Sequence, residues 1–202
     1  MKLSCLPVAA VAIFTADVHA AFESADHNLH KSDRPVYVGV DFAFANKTKL
    51  TAHGSSIEET SNFGHAGYNL VAGYEINSHR LVKLGLEAEY RQLGKIKYLD
   101  ELDVSGRGLF VNVKPRFIVE YDFADVYLSL LGGVGSIDLD AHSPAYQVSE
   151  SKSEAGYQLG IELGMEINHA INLVLGYRSS HVEVSNTNII FSSGYIGGRY
   201  HF

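Results

Sequence analysis

Apolar and polar positions alternate along three long stretches of this chain. From 82 to 91, Val82, Leu84, Leu86, Ala88 and Tyr90 share one face; Lys83, Gly85, Glu87, Glu89 and Arg91 share the other. From 109 to 121, Leu109, Val111, Val113, Phe117, Val119 and Tyr121 oppose Asn112, Lys114, Arg116 and Glu120. From 157 to 167, Tyr157, Leu159, Ile161, Leu163, Met165 and Ile167 oppose Gln158, Gly160, Glu162, Gly164 and Glu166. A period of two marks a β-strand with one apolar and one polar face. The stretches are long. A globular strand usually runs about five or six residues, whereas a tilted membrane-spanning strand needs roughly nine to eleven.

Extended along the chain, this pattern predicts about eight antiparallel strands, near 36–46, 64–76, 81–92, 105–121, 125–138, 154–167, 171–184 and 189–202. Polar connections fall at 47–63, 93–104, 139–153 and, shorter, 185–188. Tight ones fall at 77–80, 122–124 and 168–170. Short turns at one end and longer loops at the other are the pattern of a transmembrane β-barrel, turns periplasmic and loops extracellular. An even strand count puts both chain ends on the turn side. Gly67-Tyr68-Asn69-Leu70 leading to Glu75-Ile76-Asn77 is echoed by Gly156-Tyr157-Gln158-Leu159 leading to Glu166-Ile167-Asn168. Pro115 removes a ladder donor, which predicts a bulge or bend there.

Alternation alone does not say which face is inside. A water-soluble barrel holding a ligand would bury the apolar face, and a membrane barrel the polar one. Strand length and the mixture of opposite charges on the polar faces favour the membrane arrangement. Asp41, Glu75, Glu87, Glu89, Glu120, Glu162 and Glu166 are then assigned to the lumen, facing Lys83, Arg91, Lys114, Arg116, Arg178 and Arg199. An eight-stranded barrel is only wide enough for its side chains to fill. Buried charges must pair, so this reading predicts a lumen closed by ion pairs; a narrow porin-like channel is the alternative. Phe42, Phe44, Tyr74, Tyr90, Tyr121, Tyr177 and Tyr200 lie on apolar faces near strand ends, where aromatic girdles form.

The first residues change the picture of where the chain resides. Met1 and Lys2 precede an uncharged, mostly apolar stretch to Thr15, and Val18-His19-Ala20 offers a cleavage site. This predicts a signal peptide over 1–20 and one barrel domain over 21–202. The single cysteine, Cys5, lies in that leader, so no disulfide braces the exported domain. The composition is rich in strand formers, with 12 Tyr and 10 Phe, and holds 19 Gly and only 4 Pro. A net charge of −7 argues against a nucleic-acid partner.

The last strand carries the most specific motif. In Ile196-Gly197-Gly198-Arg199-Tyr200-His201-Phe202, the residues Ile196, Tyr200 and Phe202 share one face, and Arg199 and His201 the other. With the strand pattern over 36–202, this resembles the OmpA/OmpX-type family of small outer-membrane β-barrel domains. The resemblance implies an outer-membrane location, lipid and lipopolysaccharide as surroundings, and recognition of Tyr200 and Phe202 by the barrel assembly machinery. It also implies envelope integrity, adhesion or host interaction through the extracellular loops, their ligand unknown. The peptidoglycan-binding domain that follows the barrel in some members has no counterpart here, so that anchoring role is not carried over.

Candidate chemistry is sparse. Loop residues Lys95 and Lys97 could meet lipopolysaccharide phosphates, though solvated lysines are the commoner case. His142, Pro144, Tyr146 and Glu150 in 139–153 form no motif with a nameable reaction. His181, Glu183 and Ser185 share one face of the seventh strand, and these residue types build nucleophilic hydrolases. Small barrels that deacylate lipid A resemble this chain in size, but their His and Ser stand two residues apart with the Glu further on, an order absent from His181–Asn186. Asp26, His27 and His30 follow the leader as a solvated tail. The reading is therefore non-enzymatic, with no cofactor and no metal, and a lipid A-modifying hydrolase is kept as an alternative.

Overall fold

The computed structural model describes residues 34–52, 55–61, 67–79, 81–98, 102–121, 123–143, 148–167, 170–184 and 187–202. The leader over 1–20 and the Asp26, His27 and His30 segment lie outside the described residues. Among the described residues nine strands form: β1 (Val36–Ala52), β2 (Ser55–Ser61), β3 (Gly67–His79), β4 (Val82–Tyr98), β5 (Leu102–Glu120), β6 (Asp125–Ser143), β7 (Val148–Ile167), β8 (Ile171–Val184) and β9 (Thr187–His201). Every pairing is antiparallel, and β1 pairs with β9 to close the sheet. Closure satisfies the backbone groups internally, as a hydrocarbon surrounding demands.

Nine segments make eight wall positions. β3 pairs with the first part of β1, from Val36↔Tyr74 to Ala43↔Gly67. β2 pairs with the rest of β1, from Asn46↔Ser61 to Ala52↔Ser55. The two lie end to end along one neighbour and together form the second strand of an eight-stranded barrel.

Three connections expected as long loops are largely strand. β1 continues to Ala52, β4 to Tyr98 and β6 to Ser143, and β7 begins at Val148. The β6–β7 ladder runs unbroken from Asp125↔Glu166 to Ser143↔Val148. Lys95 and Lys97 thus sit on β4, and His142 and Glu150 on β6 and β7; Asp100, Glu101, Pro144 and Tyr146 lie outside the described residues. These stretches lack clean apolar alternation because no hydrocarbon faces them. Backbone pairing does not need it, since each added pair satisfies N–H and C=O groups whatever the side chains. The tight connections fall between β3 and β4, β5 and β6, and β7 and β8, the last two at the expected positions, whereas Asn77, Ser78 and His79, expected in the first, belong to β3.

The bulge expected at Pro115 is absent. Val113↔Gly132 and Arg116↔Ser129 keep one register across it, and Pro115 is paired with Leu84 on its other side. The Ser129 hydroxyl donates to the Pro115 carbonyl at 3.2 Å, so the local contacts accept the missing donor without a slip. Register shifts lie elsewhere: between Asn77 and His79 of β3 against β4, between Leu93 and Ile96 of β4 against β5, and in β1. The register of β1 to β9 shifts between Phe44 and Lys47, and Ala45 adopts φ 50°. A non-glycine residue there is uncommon and marks a bulge that turns the outer half of β1.

The polarity is the reverse of a water-soluble barrel. Leu109, Val113, Phe117, Leu159, Leu163 and Leu175 face outward, each about half exposed, while the alternate residues are buried. A soluble ligand-binding barrel would need the opposite, so that alternative falls. Phe42, Tyr74, Tyr121, Tyr177 and Tyr200 are exposed on the apolar surface, while Phe44 and Tyr90 are half-buried.

Candidate functional site

The interior is built in levels, each from alternate residues of several strands. At the end where β1 begins and β9 finishes, Arg116 of β5 lies between two glutamates. Its Nη1 pairs with Glu75 of β3 and stands 3.9 Å from Glu166 of β7. Lys83 of β4 reaches the same two carboxylates, at 3.9 Å from Glu75 and 3.3 Å from Glu166. The internal echo in the sequence thus has a physical meaning: its two copies deliver two glutamates to one level, where a shared pair of cations neutralises them. The Arg116 guanidinium also lies 4.1 Å over the Tyr127 ring.

The next level centres on Lys114. Its ammonium is 3.2 Å from Glu87 of β4 and 3.2 Å from Glu162 of β7. Each glutamate accepts a phenol hydrogen bond at 3.0 Å, Glu87 from Tyr37 and Glu162 from Tyr195. Arg199 of β9 adds an Nη2 contact to Glu162 at 3.5 Å.

Above this, Asp41 of β1 is paired with both Arg199 and Arg178. Arg178 is also paired with Glu89, which accepts from Asn112 at 2.8 Å and from Gln158 at 2.7 Å. Charge-assisted bonds of this kind are the strong ones, and the amides occupy lone pairs the cations leave open. Arg91 differs from the other interior cations. It donates to the hydroxyls of Ser180 at 2.6 Å and Ser193 at 2.8 Å, and has no carboxylate within ion-pair distance among the described residues.

The outermost level is apolar. Leu93, Phe110, Ile137, Leu139, Val182 and Phe191 point inward and form one buried cluster. Phe110 sits between Leu109 and Val111, where hydrophobicity alone assigns no face. Only the register with Asn112 and Lys114 places it inside.

Twelve of the thirteen charged residues assigned to the lumen are found in it: Asp41, Glu75, Lys83, Glu87, Glu89, Arg91, Lys114, Arg116, Glu162, Glu166, Arg178 and Arg199. Glu120 is the correction. It has the right parity, but it is the last residue of β5 beside the turn, and it is exposed. Parity gives the face and says nothing of depth along the barrel.

Three inward tyrosines escaped the sequence reading. Tyr37, Tyr127 and Tyr195 are almost wholly buried. Each pairs across the ladder with a glycine: Gly73, Gly164 and Gly176. The glycine leaves the space over which the ring lies. The signal was present in the alternation, since Tyr37 lies between the outward Val36 and Val38, but tyrosine reads as apolar when face is judged by hydrophobicity.

On the outer surface, Tyr200 and Phe202 are about half exposed, their rings edge to face at 5.1 Å. His181 also lies on the outer face. Its ring stacks on Tyr157 at 4.7 Å, and its Nε2 is 3.2 Å from the Ser179 hydroxyl. Ser185 lies outside the described residues, so the hydroxyl that His181 meets is Ser179. That hydroxyl is also 3.1 Å from Ser192. A nucleophile needs a base that a third group orients, and no carboxylate contact to His181 is seen among the described residues. Among those residues no three His, Cys, Asp or Glu side chains gather as a metal site.

The architecture is shared with solved outer-membrane barrels. Neisserial surface protein A matches with a TM-score of 0.50 and 14% identity, over 83% of this chain and 97% of that one. The attachment invasion locus protein Ail of Yersinia pestis gives 0.47 and 16%, over 84% and 99%. The N-terminal β-barrel domain of Pseudomonas aeruginosa OprF gives 0.48 and 10%, over 82% and 97%. No curated protein sequence matches the chain. The family model of the outer membrane protein beta-barrel domain matches residues 6–202, and the chain belongs to that family.

Proposed function

We propose that this protein is a non-enzymatic, non-conducting barrel that spans the outer membrane and meets the cell's surroundings through its extracellular strand extensions. The burial of the lumen charges carries the non-conducting part: Asp41, Glu87, Glu162 and Arg178 have no accessible surface. Each is held by partners on other strands, and the apolar cluster around Phe110 and Ile137 lies over them. An ion passing through this interior would have to displace existing pairs and cross an apolar layer, both costly.

The extracellular part, formed by the outer halves of β1 and β4 to β7 with β2, serves adhesion, host interaction or envelope integrity. Lipopolysaccharide surrounds its base. The exposed aromatic face of β9, with Tyr200 and Phe202, presents the barrel to the assembly machinery. The leader over 1–20 exports it.

Planar-bilayer recording of the purified, refolded protein tests this reading. Membranes containing it are expected to stay at baseline conductance. Stable unitary steps, absent from mock preparations, would replace it with a narrow channel.

A further inference from the structure

We infer that the outer end of the lumen holds a binding site for a small inorganic anion, chloride being the chemical type. A cavity with about 10 Å³ open to the centre of a water-sized particle lies at the mouth, lined by residues that include Lys47, Thr48, Arg91, Leu93 and Phe191. That volume suits one water or one monatomic ion.

Two independent features of its wall favour an anion. Arg91 is 2% exposed and bonded only to the neutral hydroxyls of Ser180 and Ser193. The nearest charged level already matches Glu89 and Asp41 with Arg178 and Arg199. A buried cation without a carboxylate in ion-pair contact is costly. Thr48 is 1% exposed, and its hydroxyl, a donor, has no hydrogen-bond partner among the described residues. An unsatisfied buried hydroxyl is likewise costly. An anion in this cavity would accept from both. The apolar Leu93 and Phe191 disfavour a larger, strongly hydrated oxyanion. Glu59 stands opposite Thr48 in the β1–β2 ladder.

The test uses the full folded barrel in detergent. Crystals grown with bromide replacing chloride are expected to show an anomalous peak within contact distance of Arg91 and Thr48. In parallel, the thermal midpoint is followed in chloride and in gluconate at equal ionic strength. The wild type should be more stable in chloride. Thr48→Val, which keeps every charge, should lose most of that difference and the bromide peak. Arg91→Gln should lose both where it folds; Thr48→Val carries the test where it does not. No peak in the wild type, density that refines as a water only, or a midpoint indifferent to the anion would overturn the site. A chloride effect untouched by Thr48→Val would overturn it equally, by placing the ion elsewhere.

Discussion

The Tyr195 ring lies across Gly176, its cross-strand partner, and a Cβ at position 176 would stand 2.3 Å from the ring's Cζ. The ring is fixed there by its hydroxyl on Glu162 at 3.0 Å and by the Arg178 guanidinium 4.4 Å from its centroid. The missing side chain at 176 is therefore what allows an aromatic ring to bridge two levels of charge. Gly176→Ala is expected to displace the ring and disturb both contacts. Overpacking of this kind costs roughly 1–3 kcal/mol. Gly198→Ala is the control: its Cβ meets nothing nearer than 3.9 Å, so an effect within about 0.5 kcal/mol is expected. Urea unfolding in lipid vesicles, read by tyrosine fluorescence, compares them. Equal effects would refute the claim that the tyrosine and glycine pairs bear stability.

Lys114 holds two carboxylates apart. Glu87 and Glu162 come from strands on different sides of the lumen, and the ammonium between them is 3.2 Å from each. Lys114→Met leaves two buried anions facing one another. Removing one partner of a buried pair costs roughly 3–5 kcal/mol. The triple change Lys114→Met, Glu87→Gln, Glu162→Gln removes the charge conflict and is expected to recover a large part of that loss. The unfolding free energies of single and triple variants decide it. A triple variant less stable than Lys114→Met would show that Glu87 and Glu162 matter chiefly to Arg199 and the tyrosines.

The two substitutions also show how much of this interior was legible beforehand. Glu87 and Glu89 alternate with Leu86 and Ala88, and Lys114 with Val113, so the charged face could be read directly. Which acid meets which base could not. Lys114 and Glu162 are 48 residues apart, and the barrel's register alone makes them neighbours. The echo between the Glu75 and Glu166 segments was visible as words before it had a meaning, because convergence on Arg116 requires closure. The apolar outer cluster was hidden for a different reason. Phe110 and Ile137 interrupt a face read as polar, and a rule that assigns faces by polarity sends such residues outward. The strand extensions were hidden too, because polar stretches that pair in water carry no hydrophobic period.

The hydrocarbon belt predicts a depth-dependent penalty on the outer face. Val113 is 48% exposed and lies midway among the outward apolar residues of β5. Val113→Arg is expected to cost roughly 2–4 kcal/mol, as for cations at a bilayer midplane, against about 0–1 kcal/mol near an interface. Ser136, which shares a hydrogen bond with Ser153 at 2.9 Å beside the exposed Arg107–Asp138 pair, marks that interface. Ser136→Arg should therefore be close to neutral. Refolding yield and urea midpoints in vesicles measure both. Equal penalties would move the membrane boundary outward past Arg107.

His181 provides the sharpest test of the non-enzymatic reading. Its Nε2 meets the Ser179 hydroxyl at 3.2 Å on the outer face, and its ring lies parallel to Tyr157 at 4.7 Å. A base next to a hydroxyl is half of an acyl-transfer site. The other half, a group that orients the imidazole and donors for an oxyanion, is not seen among the described residues, and the Ser179 hydroxyl is shared with Ser192 at 3.1 Å. Stacking on Tyr157 and capping Ser179 give His181 a sufficient structural role where the wall leaves the hydrocarbon. Mass spectrometry of lipid A from cells expressing wild type, His181→Ala or Ser179→Ala should show one acylation pattern throughout. An acyl chain missing only in the wild-type cells would make Ser179 a nucleophile and the protein a hydrolase. A purely structural histidine would instead show itself as a lower unfolding midpoint in His181→Ala, with lipid A unchanged.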